Sequence, residues 1–178
     1  SEIEKVVKDL RERLKELRES VKRLDDKNRE LLERLEREVE EMDRRNEKLL
    51  RDLKRQDRDE KDLRRVIEKS KEDLRRLEEK LKEVIKRSEE ELEEHVKRTR
   101  DVIERLKRRV EKLARDLDKE ELLRTLEKVL REIAEELERL NRKVRESIRE
   151  SARRLKRLIE KLERSIRRSA EELRKRAK

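Results

Sequence analysis

The chain has 178 residues, 62% of them charged and 30% hydrophobic, with a formal net charge of +10. It contains no aromatic residue, no Gly, no Pro and no Cys. Those absences exclude disulfides, Cys-based metal sites and thiol chemistry, base-stacking platforms and any Gly-rich phosphate loop. Glu, Lys, Arg and Leu dominate, all strong helix formers. High charge and low hydrophobicity would favour disorder, but the apolar residues here are regularly spaced, which disorder does not require.

The first predicted helix spans about 2–56. Its apolar row reads Leu10, Leu14, Leu17, Val21, Leu24, then Asn28, Leu32, Leu35, Val39, Met42, then Asn46, Leu50, Leu53. The second, about 60–115, carries Leu63, Ile67, Ser70, Leu74, Leu77, then Leu81, Ile85, Ser88, Leu92, His95, then Thr99, Ile103, Leu106, Val110, Leu113. In the third, about 119–177, the row runs through Leu122, Leu126, Val129, Ile133 and Leu137. It continues through Leu140, Val144, Ser147, Ser151, Leu155, Leu158, Leu162, Ser165, Ser169 and Leu173. A flanking row adds Leu130, Ile148, Ile166 and Ala134, Ala152, Ala170. Five positions recur every 18 residues, a period of 3.6, which is that of a straight α-helix; a strict heptad would impose a left-handed supercoil.

Two similar breaks separate the segments, Asp57-Arg58-Asp59-Glu60-Lys61 and Asp116-Leu117-Asp118-Lys119-Glu120. Each offers an Asp as N-cap and acidic residues for the next first turn. With no Gly available, a left-handed C-cap falls to Asp or another non-Gly residue. Short turns make sequential helices antiparallel neighbours. The expected fold is therefore all-α, a single up-down-up antiparallel three-helix bundle over residues 1–178, with long, nearly straight helices. No apolar run approaches the roughly 18 residues of a membrane span, and no signal-peptide core is evident.

The strict 18-residue repeat, the missing Gly, Pro, Cys and aromatics, and the Glu/Lys/Arg surface make the whole chain resemble de novo designed, parametrically generated straight helical bundles. Such bundles usually have Gly-containing loops, and this chain has none. The resemblance implies a hyperstable scaffold with no natural substrate.

Polar residues on the apolar rows are the candidate sites. Antiparallel neighbours joined by short turns place residue i of the first helix opposite roughly 116 − i on the second and i + 118 on the third. That matching groups Asn28 with Ser88 and Ser147, and Asn46 with Ser70 and Ser165. A weaker group is Ser20, His95 and Asn141, with Thr99 one turn from His95; Ser151 and Ser169 either extend the networks or serve as small residues for close packing. Buried hydroxyls and amides without partners cost about 1–3 kcal/mol each, so matched levels would penalise slipped registers. The competing reading has each Ser bonded to the carbonyl four residues back in its own helix, with the Asn side chains tilted to solvent. His95, the one histidine, has no second His, no Cys and no nucleophile at a motif spacing, so it reads as structural. No catalytic, cofactor or metal residue is expected.

Charge is uneven. Residues 119–178 hold 21 basic and 13 acidic residues and supply most of the net charge. The expectation is a solvated surface without enzymatic activity, required partner or specific nucleic acid. Two other readings remain open: an assembly module pairing through the flanking row, and a weakly nucleic-acid-binding basic rod.

Overall fold

The computed structural model describes residues 2–55 and 59–177, with side chains from 4–55 and 59–176. They form three α-helices, α1 (Glu2–Arg55), α2 (Glu60–Leu117) and α3 (Glu120–Ala177), with no strand among the described residues. Each helix is unbroken because nothing inside it lacks a backbone donor or carries the entropy cost of Gly. Their ends complement the helix dipole: Glu60 and Asp62 open α2 and Glu120 and Glu121 open α3, while Lys54 and Arg55 close α1 and Arg174, Lys175 and Arg176 close α3.

At the first break, Asp57 and Arg58 lie outside the described residues. Asp59 is the N-cap of α2, since its carbonyl accepts the amide of Leu63 at 3.1 Å. At the second break the N-cap is Lys119, whose carbonyl accepts from Leu123 at 3.2 Å, and not either Asp. Asp118 instead takes the left-handed conformation, φ 50°, that turns the chain. A β-carbon in this region is costly, and Asp is among the few non-Gly residues that tolerate it. Asp118→Gly should therefore raise stability by about 0.5–1 kcal/mol, read as a higher urea midpoint at unchanged slope; a lower midpoint would mean that the Asp side chain itself holds the turn.

Tertiary contacts divide the chain into two compact units, where the sequence predicts one domain. Unit 1 comprises residues 1–28 and 88–147, and unit 2 residues 29–87 and 148–178. In both, stretches of α1, α2 and α3 pack as a three-helix bundle. Unit 1 is built on Val6, Leu10, Leu106, Val110, Leu126 and Leu130, with a second cluster of Leu14, Leu17 and Leu137. Unit 2 has its main core in Leu32, Leu35, Val39, Leu74, Leu77, Leu81, Leu155, Ile159, Leu162 and Ile166, and a smaller one in Leu49, Leu53, Leu63, Ile67 and Leu173.

Salt bridges between helices fix the direction and the register. Arg109 pairs with Asp9 and Lys27 with Glu91 in unit 1, and Lys80 with Glu38 in unit 2; in all three the residue numbers add to 118, so α1 and α2 run antiparallel. Arg18–Glu136 in unit 1 and Arg154–Glu36 in unit 2 are each 118 apart, so α1 and α3 run parallel. The α1–α3 offset is the expected one; the α1–α2 sum exceeds the expected 116 by about two residues, or ~3 Å of helix rise.

The inward face of α3 is also rotated from its expected centre. Leu130, Ile148 and Ile166, assigned to a flanking row, are buried in the core, whereas Val129 is 40% exposed and Ser147 and Ser165, one and two cycles further along its row, are half-buried. In α1, Leu49 is buried and Leu50 only half so. A helix in a three-helix bundle touches two neighbours, so its buried face is wider than two positions in seven and its centre falls between the rows.

Candidate functional site

The polar residues on the buried face sit within continuous helices, so helical phase aims them. Asn28 and Asn46 continue the row of Leu10, one and two 18-residue cycles on, and are buried as Leu10 is. Ser88, His95, Thr99, Asn141 and Ser169 are buried too, while Ser20, Ser70, Ser147, Ser151 and Ser165 are half-buried.

One level is hydrogen-bonded across helices, in unit 2. The Asn46 Nδ2 donates to Ser165 Oγ, and Ser169 Oγ donates to Asn46 Oδ1 at 3.2 Å. Ser169 Oγ also lies 3.2 Å from the Ser165 carbonyl, so its hydroxyl is shared between two acceptors. Both functional atoms of the amide are thereby engaged, the condition for burying it without the full desolvation penalty. Ser70, assigned to the same level, does not join: its hydroxyl donates to the Val66 carbonyl of its own helix at 2.9 Å. A half-buried Ser in a helix finds that acceptor without any cross-helix alignment.

The level at Asn28 does not close. Asn28 Nδ2 and Oδ1 and Ser88 Oγ are all buried without a hydrogen-bond partner, and Ser147, on the edge of the α3 face, is only half-buried. The expected Asn28–Ser88–Ser147 network is thus not formed. The rotation of α3, which carries the Val129–Ser147–Ser165 row to the rim, is not by itself the cause, since Ser165, equally half-buried on that row, accepts from Asn46. The α1–α2 register, about two residues off the expected one, also takes Ser88 and Ser70 from the levels of Asn28 and Asn46. At Asn46 the interior residue Ser169 takes up the amide oxygen; the residue one cycle before it, Ser151, is half-buried.

In the third group, Thr99 Oγ1 donates to the His95 carbonyl at 2.8 Å and lies 3.5 Å from His95 Nδ1. The His95 pKa is lowered from its ordinary 6.5, chiefly by burial and secondarily by the positive charge of Arg98. The Asn141 side chain and the Leu17 carbonyl act the other way, yet neither closes a hydrogen bond on Nε2, which is unpartnered, as is Asn141 Oδ1. The ring is therefore neutral at pH 7. Ser20 lines a groove of about 470 Å³ with His95 between α1 and α2 of unit 1; Ser151 stands alone in unit 2.

Chemically this arrangement offers little. Among the described residues no group of three or more His, Asp and Glu side chains is placed to hold a metal ion, and no helix is long and apolar enough to cross a membrane. Sequence reasoning missed the ion pairs between helices. Their signal was present in the constant spacing of opposite charges, but a chain that is 62% charged offers many such spacings. The paired side chains are a quarter to three-fifths exposed, so each contributes at most about 1 kcal/mol.

No protein-family model matches the chain, and no curated protein does. Among solved structures it is similar to one described as "Computationally designed three helix bundle", at 18% identity over 97% of this chain and 78% of that one, with a TM-score of 0.33. At that score the likeness adds nothing to the fold, which rests on the three helices and the pairs between them.

Proposed function

We propose that the chain is a structural scaffold of the de novo designed kind: a hyperstable helical bundle with no enzymatic activity, cofactor or required partner, whose buried polar residues help to set its register. The observation that carries this reading is the recurrence of the buried rows. Leu137, Leu155 and Leu173, then Leu126, Val144 and Leu162, then Leu130, Ile148 and Ile166 each repeat at 18 residues and are all buried. Repetition of that kind supports a chain specified by geometry, and the polar residues it interrupts itself for are engaged with the bundle or enclosed by it. The Asn46 level supports a role in register, because any slip of α3 against α1 separates the amide from both Ser165 and Ser169.

The reading as an assembly module requires the flanking row to be free for another chain. Burial of Leu130, Ile148 and Ile166 weighs against it. The reading as a basic rod rests on counterion release at a surface rich in Arg and Lys, which weakens steeply with salt. Light scattering decides between scaffold and assembly: a molar mass of 22.2 kDa, independent of concentration, is expected, and a stable multiple of it overturns the monomeric scaffold. A salt titration with labelled duplex DNA addresses the other. Retention near ~150 mM salt, where the Debye length is about 8 Å, would put nucleic-acid binding first.

A further inference from the structure

Among the described residues, the buried side-chain polar atoms without partners are Asn28 Nδ2 and Oδ1, Ser88 Oγ, His95 Nε2 and Asn141 Oδ1, all in unit 1. Unit 2 buries an amide just as deeply and satisfies it. It also has no histidine, since His95 is the single one in the chain. We propose that His95 makes unit 1 acid-labile: a second proton on its ring opens residues 1–28 and 88–147 while residues 29–87 and 148–178 stay folded.

Thr99 Oγ1 donates its one proton to the His95 carbonyl at 2.8 Å and lies 3.5 Å from Nδ1. Nε2 is enclosed without a hydrogen-bond partner, so neither ring nitrogen has a strong acceptor waiting for a second proton. A charged imidazolium would lie in the interior of a thin bundle, where desolvation opposes it.

The charged groups around it do not compensate. On α1, Arg13, Glu16 and Arg23 line the groove beside the ring; on α2, Arg98, Asp101 and Arg105 do, so four cations face two carboxylates there. Glu91 and Glu94 are near as well, paired with Lys27 at 2.9 Å and Arg98 at 3.7 Å, so that with Lys27 five cations face four carboxylates in all. On α3, beside Asn141, Glu138 faces Arg142 and Arg145, which pair with Glu138 at 3.9 Å and Glu93 at 2.8 Å. The neutral oxygens of Asn141 and Leu17 favour the proton but are outweighed, and the folded pKa lies below 6.5.

A pKa lowered by folding gives stability that is complete above the unfolded value. It is lost as pH falls from 6.5 towards the folded value, because the unfolded ring takes up its proton first. Within that window the opening equilibrium rises by as much as about tenfold per pH unit. Most carboxylates titrate lower, near pH 4, so the range between pH 7.5 and pH 5 isolates the histidine.

The test is native-state amide exchange on the whole chain at pH 7.5 and pH 5, corrected for intrinsic rates. Protection around Leu92, Thr99 and Leu137 is expected to fall at pH 5, while that around Leu35, Leu74 and Leu162 is retained. His95→Gln should make protection in unit 1 the same at both pH values. Asn141→Asp, which sets a carboxylate near the ring, should raise the ring pKa and reverse the trend, so that unit 1 is better protected at pH 5.5 than at pH 7.5; it keeps the idea testable if His95→Gln folds poorly. Unchanged protection in unit 1, an equal loss in both units, or the same loss in His95→Gln would overturn the proposal.

Discussion

Asn28→Leu stabilises the protein by about 1–3 kcal/mol, the range for burying a polar group without a partner, whereas Asn46→Leu gains about 1–2 kcal/mol less, since it forfeits two hydrogen bonds worth about 1 kcal/mol each. Both residues continue the row of Leu10, so a leucine at either place has the same helical phase, and both are 2% exposed. They differ in what surrounds the amide. Asn28 has neither Nδ2 nor Oδ1 bonded, and removing it strands nothing, because Ser88 Oγ is already alone. Asn46 gives its donor to Ser165 and accepts from Ser169. Urea denaturation of the two variants at pH 7.5 checks the difference. Equal shifts in midpoint would mean that the bonds of Asn46 contribute nothing net, and that the polar residues act only by being polar.

Leu155→Ala carries the largest expected loss, about 2–5 kcal/mol, from the removed transfer energy and the cavity left behind. Leu155 is 1% exposed in the main core of unit 2, within a cluster drawn from all three helices. Val129→Ala, by contrast, should change stability by under about 0.5 kcal/mol, as surface substitutions do, although the apolar pattern alone puts both residues on one seam. Val129 is 40% exposed. Urea midpoints again decide: a loss at Val129 approaching that at Leu155 would show that the face of α3 turns back towards Val129 in solution.

Much of the architecture is legible in the sequence for reasons these residues make plain. Helix ends could be placed within about two residues because 18-residue phase is kept along each segment and lost at the Asp-rich breaks. The left-handed residue could be narrowed to a non-Gly because no glycine exists to take the position, and Asp118 takes it. What the pattern does not contain is the angle of the buried face. A period specifies spacing and leaves the rotation open by one row, and that one row decides whether Val129 or Leu130 points inward. The same ambiguity propagates to the polar levels. A rotation of one row leaves leucines buried on either side, but it moves the hydroxyls of Ser147 and Ser165 to the rim. Hydrogen bonds need a few tenths of an ångström where apolar contact needs only proximity. From the same rim, Ser165 accepts from Asn46 Nδ2 while Asn28 Nδ2, one cycle earlier, is left without a partner, and nothing in the spacing distinguishes the two levels.

The 18-residue recurrence of Leu126, Val144 and Leu162 has a consequence of a different kind. Along such a row the apolar side chains read like a ruler with equivalent marks: sliding one helix past another by a whole cycle, about 27 Å at 1.5 Å per residue, would bring an apolar residue back upon an apolar residue. Only features that differ between cycles break this translational degeneracy. The short connection at Asp118 is one, because it spans no such distance. The two asparagines are another: on equivalent marks, Asn46 is saturated by Ser165 and Ser169 while Asn28 is not. Each cycle therefore carries its own label, and the label is written in the residues that contribute least to the core.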